Sequence, residues 1–296
     1  MVTGASGLIG SHLCRKLAED GTDVIALTHK ATNTVLASIP QGAIEVAVCD
    51  IRDYDNLNLI FSYYQPDAIF HLAAHLPSTA NPDFIKVNVT GTSNLLDICY
   101  HKKVKSFVYA SSMSVYTTPP VQLPIGEEHP VQPDDNYGRT KLIGELLCRC
   151  YSRAVRTVVT RFSSVFGLED NSRVAYHFMQ SALSGQAIQV DGDGRQSSDF
   201  IYVTDAVYGV TLALEKGRSG EIYNIGSGQE TSVLELANLI AGLVEPNVEV
   251  KSSGKPATRP FRFAADISKA RRELGYNPSD LIDGLRKYRE EMNGKK

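Results

Sequence analysis

Thr3-Gly4-Ala5-Ser6-Gly7-Leu8-Ile9-Gly10 decides how the rest of the chain is read. Its glycines stand directly ahead of a stretch in which Ile9, Leu13 and Leu17 recur at helical spacing. Glycines so placed permit a tight turn, let backbone N–H groups approach a pyrophosphate and let the helix pack close, while the helix N-terminus favours the anion. Gly4, Ser6, Gly7, Leu8, Ile9 and Gly10 are therefore the expected cradle of a dinucleotide. A glycine triplet alone is weak, because any strand-to-helix turn can be glycine-rich. The context strengthens it: a strand-like run follows at residues 24–27, and Asp50-Ile51 stands after the next strand, where Asp50 can accept from an adenine amino group. Asp50 also fits a turn aspartate ahead of a helix at 53–61. Since a buried strand of about five residues normally precedes such a turn, and Gly4 has three residues before it, either roughly three to five residues precede Met1 or the strand is unusually short.

Working outward, strand-like runs at 24–27, 44–48, 68–72, 106–110 and 157–160 alternate with helix-like segments. Repeated βα units imply a doubly wound parallel sheet covered by helices on both faces. After about residue 167 the rhythm loosens, and 199–203 and 221–225 read as strands again. The expected division is a dinucleotide-binding domain over 1–165 and a smaller C-terminal α/β substrate-binding region over 166–296, with segments near 199–225 returning to the first sheet. The 296 residues carry 30 Lys+Arg against 33 Asp+Glu, a net charge of -3. That balance offers no basic stripe for nucleic acid or an anionic membrane. Five cysteines without a CxxC pair argue against disulfides and structural zinc, and read as reduced core thiols. No apolar window reaches the length of a spanning helix, so a soluble cytoplasmic protein without a membrane or metal site is expected.

About 20 residues past the glycine turn, where a carboxylate usually receives the ribose 2′-hydroxyl of NAD, stand Thr28-His29-Lys30. Lys30 and His29 can instead receive the extra phosphate of NADP, which tips the cofactor expectation from NAD toward NADP. A solvated lysine at a strand end is the plainer alternative. In Tyr137-Gly-Arg-Thr-Lys141 the four-residue spacing puts phenol and ammonium on one helix face. A neighbouring lysine and an oxidised nicotinamide both favour phenolate, so Tyr137 can exchange a proton with a substrate hydroxyl while hydride moves. Ser111-Ser112-Met113-Ser114 follows a strand, where Ser112 can orient the same substrate oxygen.

These pieces resemble the extended short-chain dehydrogenase/reductase family of nucleotide-sugar epimerases, dehydratases and ketoreductases. The resemblance runs over nearly the whole chain: the glycine turn, Asp50, Ile69-Phe-His-Leu-Ala-Ala74, Asn88 in Asn-Val-Thr-Gly-Thr, the serine cluster, Tyr137 with Lys141, Arg161-Phe-Ser-Ser-Val-Phe-Gly167, Asp199-Phe-Ile-Tyr-Val-Thr-Asp205, Tyr223-Asn-Ile-Gly226 and Asp266-Ile-Ser-Lys-Ala270. It implies a Rossmann domain with a smaller substrate domain. It also implies Ser112, Tyr137 and Lys141 as the catalytic set, Leu72, Ala73, Ala74 and Asn88 beside the cofactor, and His75, Ser114, Ser164, Arg259 and Arg262 toward a nucleotide sugar. His71 and His75 read as pocket lining, His177 as a packed helix residue, and Glu127-Glu128 as a solvated turn.

Departures from the family pattern matter. Dehydratases of the family carry an Asp-Glu pair after the catalytic Ser/Thr, and this chain has Met113-Ser114, which disfavours dehydration. Ser164 and Ser198 stand where UDP-sugar enzymes have Asn and Arg. Arg259 and Arg262 remain phosphate partners by their guanidinium forks, with a solvated basic loop as the alternative. The resemblance implies an epimerase that removes and returns hydride through a keto intermediate. An NADPH-dependent 4-keto sugar reductase is the runner-up, and an inactive dinucleotide-sensing protein the reading of another class. A homodimer paired through helices at 91–101 and 141–153 is implied as well.

Overall fold

The computed structural model describes residues 1–29, 36–40, 42–75, 83–244, 248–256 and 262–294. Its elements follow the expected alternation: β1 (Val2–Thr3), α1 (Leu8–Glu19), β2 (Ile25–Thr28), β3 (Glu45–Val48), α2 (Tyr54–Tyr64), β4 (Ala68–His71), α3 (Thr92–His101), β5 (Ser106–Ser112), α4 (Asn136–Tyr151) and β6 (Arg156–Phe162). Beyond them come β7 (Ser164–Phe166), α5 (Val174–Leu183), β8 (Ile188–Val190), β9 (Ser197–Ser198), β10 (Phe200–Tyr202), α6 (Val203–Lys216), β11 (Ile222–Ile225), β12 (Thr231–Ser232), α7 (Val233–Val244), β13 (Val250–Ser252), α8 (Ser268–Leu274) and α9 (Leu281–Gly294).

Seven strands form the main sheet in the order β11-β6-β5-β4-β1-β2-β3, with parallel pairing throughout. The order reverses between β1 and β4, which opens a crevice at their C-terminal ends, the usual ligand position of an open α/β sheet. The central strand is paired on both sides: Val2 opposes Ala26 and Phe70, and Thr3 opposes Leu27 and His71. Successive residues of β5 face opposite cores, as the period of two requires, with Phe107 and Tyr109 on one side and Val108 and Ala110 on the other. The sheet is thus buried on both faces, as a parallel sheet demands.

Two expectations need correction here. Of the segments expected to rejoin the sheet, β11 does so beside β6, whereas β10 pairs with β7 in a separate two-stranded sheet. Strands of three residues have their partners chosen by tertiary packing, so pattern alone did not assign them. Cys14, Cys49, Cys99 and Cys148 are free and buried, but Cys150 is exposed on the outer face of α4. No helix among the described residues is long and apolar enough to cross a membrane.

Candidate active site

The glycine turn forms a backbone cradle. Gly4 adopts φ +67°, and a Cβ there would stand 2.6 Å from the Ala73 nitrogen; at Gly10 it would stand 2.2 Å from the Gly4 oxygen. Gly7 begins α1 in extended conformation with no side-chain cap. Helix-terminal N–H groups without a cap suit an anion, so these residues fit a pyrophosphate. A cleft of about 370 Å³ opens beside the turn, and Gly4, Gly7, His29, Asp50, Ile51, Leu72, Ala73, Ala74 and His75 all line it. Ser6 lies within the turn, and Leu8, Ile9 and Gly10 form the first turn of α1. Lys30 and Arg259 lie outside the described residues.

Arg52, which pattern reading passed over, also lines the cleft. Its guanidinium donates to Asp50 through Nε (3.0 Å) and Nη2 (2.6 Å) and reaches Asp83 at 3.2 Å. Those hydrogen bonds hold the Asp50 carboxyl below its ordinary range. Asp50 therefore meets a ligand as one half of a rim ion pair rather than as a free acceptor.

Behind the cleft, His71 is fully buried, which corrects its reading as pocket lining. Thr92 Oγ1 donates to the Asn88 carbonyl (2.7 Å), so it accepts from His71 Nε2 (2.9 Å). That leaves Nδ1 as acceptor for the Thr3 hydroxyl at 2.8 Å, and Thr3 Oγ1 in turn accepts from Ala73 N–H at 3.3 Å. The chain of donors fixes one tautomer and ties the cradle wall to α3. Burial pushes the imidazole down to about 3, so it is neutral at physiological pH. Asn88 sits in a π-helical turn (Lys86–Gly91) and is buried. Its Oδ1 accepts from His75 N–H (2.7 Å), while Nδ2 donates to the His75 carbonyl (3.2 Å) and to Thr140 Oγ1 (2.9 Å). Asn88 thereby joins the cleft wall to α4.

The second half of the site stands where β5 ends and α4 begins. Ser112 Oγ accepts from Ser114 N–H at 3.1 Å and donates to Ser114 Oγ at 3.1 Å. Asp135 caps α4 by accepting from Gly138 N–H at 2.7 Å, and a Cβ on Gly138 would stand 2.2 Å from the Ser114 oxygen. That close approach presses the start of the helix, with Tyr137, against the serine turn. One helical turn on, Lys141 is buried and donates to the Ala110 carbonyl at 2.7 Å, with Nζ 5.7 Å from the Tyr137 ring centre and 5.0 Å from that of Tyr109. Burial pushes the Tyr137 phenol up to about 12, with Arg173 opposing and Asp135 adding. Burial pushes Lys141 down to about 8, with Glu145 opposing. Arg173, just ahead of α5, is a charge near the phenol that the spacing of residues did not reveal.

Below this pair lies a buried polar layer. Ser111 donates to Glu145 at 2.5 Å, and Arg161 forms a fork on the same carboxylate at 2.9 and 2.6 Å. The Arg161 guanidinium stacks 4.7 Å from the Tyr116 ring centre. Glu127 corrects its solvated-turn reading: its carboxylate accepts from Asn224 N–H at 2.8 Å and burial raises its pKa. His177, expected to pack, is exposed.

Toward the C-terminal region, Ser164 and Ser198 share a hydrogen bond at 2.6 Å. Next to Ser198, Ser197 donates to Glu230 at 2.5 Å, and Arg262 forks onto Glu230 with two bonds of 2.6 Å. Glu230 is a further residue that sequence reasoning missed, since 32 positions separate it from its partner.

The model of the NAD dependent epimerase/dehydratase family matches residues 1–226. A protein of Bacillus subtilis described as the uncharacterized UDP-glucose epimerase YtcB is 33% identical over 308 residues, covering 96% of this chain and 95% of that one. The dTDP-glucose 4,6-dehydratase of Haemophilus influenzae is 32% identical over 325 residues, covering 97% and 95%. Among solved structures, the UDP-glucose 4-epimerase of Thermotoga maritima with UDP-glucose superposes with a TM-score of 0.91 at 29% identity, covering 99% of this chain and 98% of that one. A UDP-glucuronic acid 4-epimerase of Bacillus cereus, in complex with UDP-glucuronic acid and NAD, gives 0.88 at 27% identity over 100% and 99%. Epimerases and dehydratases both stand among its relatives, and the chain belongs to the NAD dependent epimerase/dehydratase family.

Proposed function

We propose that the protein is an NAD-dependent nucleotide-sugar 4-epimerase. The observation that carries this reading is the Tyr137–Lys141 pair on one face of α4, pressed against the Ser112 turn at the C-terminal edge of the sheet. The resemblance to epimerases found with UDP-sugars, one of them with NAD, supports it. Met113 is buried and apolar, and Ser114 is bonded to Ser112, so neither position supplies the acid–base pair that dehydration requires.

The Gly4–Gly10 backbone and the α1 N-terminus would hold the dinucleotide pyrophosphate, and the cleft beside Asp50 and Ile51 its adenosine end. A dinucleotide held there would supply an acceptor for hydride from the sugar carbon and a donor for its return. Ser112 Oγ orients the sugar hydroxyl, and Tyr137 Oη takes the hydroxyl proton as the carbonyl forms. Returning the proton from the same atom after the sugar turns over restores the phenolate. The Lys141 ammonium stabilises the phenolate that starts and ends the cycle, which burial alone makes costly. A pair of exposed helices supports a homodimer as part of this reading, with Tyr100 on α3 and Ile143 and Leu146 on α4 facing outward.

Denaturing the purified protein and identifying any released dinucleotide, together with incubation with UDP-glucose, tests the proposal. Released NAD+ and appearance of the C4 epimer are expected. Empty protein that binds NADPH reversibly favours a reductase, the reading that Thr28-His29-Lys30 supports by lacking a carboxylate. A 4-keto-6-deoxy product overturns the exclusion of dehydration.

A further inference from the structure

On α4, Glu145 follows Lys141 by one further turn of the helix, as Lys141 follows Tyr137. The three therefore share a face, and each meets the β5 edge at a different depth. Glu145 sits deepest. It accepts from Ser111, the neighbour of Ser112, and from Arg161, whose Cα stands opposite Ser111 in the β5–β6 register. Ser111, Glu145 and Arg161 thus form one layer that spans two strands and the helix. The side chains of Glu145 and Arg161 are 4% and 3% exposed, so solvent does not screen them.

We propose that Glu145 is a positioning residue that holds Lys141 in its charged form and Ser112 in its place, without itself touching substrate or cofactor. The inference rests on the acid–base roles assigned above to Tyr137, Lys141 and Ser112. Two features argue for it. Ser111 and Ser112 are consecutive in an extended strand, so the hydrogen bond that pins Ser111 to Glu145 also fixes the backbone from which Ser112 projects to the other face. Second, the groups facing Lys141 among the described residues are Tyr137, Glu145 and Cys148 on α4, Tyr109 on β5 and His71 on β4. Without a bound dinucleotide to favour the Tyr137 phenolate, burial keeps the thiol, the phenols and the imidazole neutral at pH 7. Glu145 is then the negative charge that counters the desolvation of Lys141, and the Arg161 fork holds it in one orientation.

Glu145→Gln alone leaves Arg161 buried without its counter-charge and invites misfolding, so the test uses the double variant Glu145→Gln/Arg161→Met, which removes both charges together. Protein labelled with 13C at the lysine ε-carbon is titrated by NMR, with the Lys141 signal assigned through Lys141→Arg. In the native protein Lys141 is expected to titrate near 8. In the double variant the midpoint should fall by about one pH unit, a tenfold loss of proton affinity. An unchanged midpoint overturns the proposal, because a merely structural layer would not move it. For the second role, Ser111→Ala should lower kcat on UDP-glucose about tenfold with KM unchanged, and Ser111→Thr, which keeps a hydroxyl, should restore it. Full activity of Ser111→Ala also overturns the proposal. Should the native protein fail to convert UDP-glucose, the functional reading falls while the Lys141 titration still decides the role of Glu145.

Discussion

Two arginine–glutamate forks of nearly the same geometry stand in different parts of the molecule, one between α4 and β6 and the other in the C-terminal region. Arg161 grips Glu145 at 2.9 and 2.6 Å, and Arg262 grips Glu230 at 2.6 and 2.6 Å. The first pair is 3% and 4% exposed, the second 69% and 26%. Similar contacts in such different surroundings have different consequences. Buried, the fork cannot be exchanged for water, so it locks α4 to β5 and β6 and fixes the frame that carries Tyr137, Lys141 and Ser112. At the rim, water and salt compete with the contact at every moment, and the guanidinium stays available to a ligand. In the proposed reading, chemistry would ride on the rigid pair and recognition on the exchangeable one.

The comparison breaks if the catalytic group is not on the buried frame. Tyr137→Phe removes the proton-exchanging oxygen and leaves the glycine cradle untouched. Turnover of UDP-glucose should fall by about 10³-fold or more, while the dinucleotide Kd from fluorescence titration changes less than about twofold. Full turnover by this variant would reassign the site. The next largest effect sharpens the contrast itself. Arg161→Met strands the Glu145 carboxylate in the interior and should cost about 3–5 kcal/mol in urea unfolding. Arg262→Met should leave the unfolding curve where it is. Equal losses would show that burial does not separate the two pairs.

Pattern reached one side of this contrast more easily than the other. The glycine turn was legible because only glycine permits the approach of Gly4 to Ala73 and of Gly10 to Gly4, a local backbone demand visible in the letters themselves. Tyr137 and Lys141 were legible because a helix converts a spacing of four into a shared face. Glu145 has that spacing too, but its meaning depends on Ser111 and Arg161 arriving from two strands. His71 was misplaced for a similar reason: its position at a strand end was clear, and the buried hydroxyls of Thr3 and Thr92 that receive it were not. The rim was least legible, since Ser164 meets Ser198, and Arg262 meets Glu230, only through short strands whose pairing packing decides.

A third buried polar group, His71, separates charge from burial. Its folded value near 3 lies below the ordinary 6.5, so the unfolded chain binds the proton more readily. Stability from this group is fully present above about pH 6.5 and is lost as the pH falls toward 3, a loss of at most about 5 kcal/mol. Urea unfolding between pH 7 and 4 should show the native protein weakening steadily, and His71→Gln, which cannot take up the proton, weakening less. Parallel decline in both proteins would place the acid sensitivity elsewhere.

The smallest effect concerns the rim. If Arg262 receives a substrate diphosphate, the phosphate must compete with the Glu230 carboxylate for the same guanidinium. Hydrogen bonds from Arg262 and Ser197 keep that carboxylate ionised to lower pH than usual, so the competition persists through the neutral range. Glu230→Gln removes the competing charge and retains an acceptor for Ser197. Affinity for UDP, measured by calorimetry at low salt, should then rise about two- to fourfold, and the gain should shrink as ionic strength increases, because both contacts are solvent-screened. Weaker binding by Glu230→Gln would mean that the carboxylate aims Arg262 at the ligand rather than withholding it, and the rim fork would then resemble the buried one in function as well as in shape.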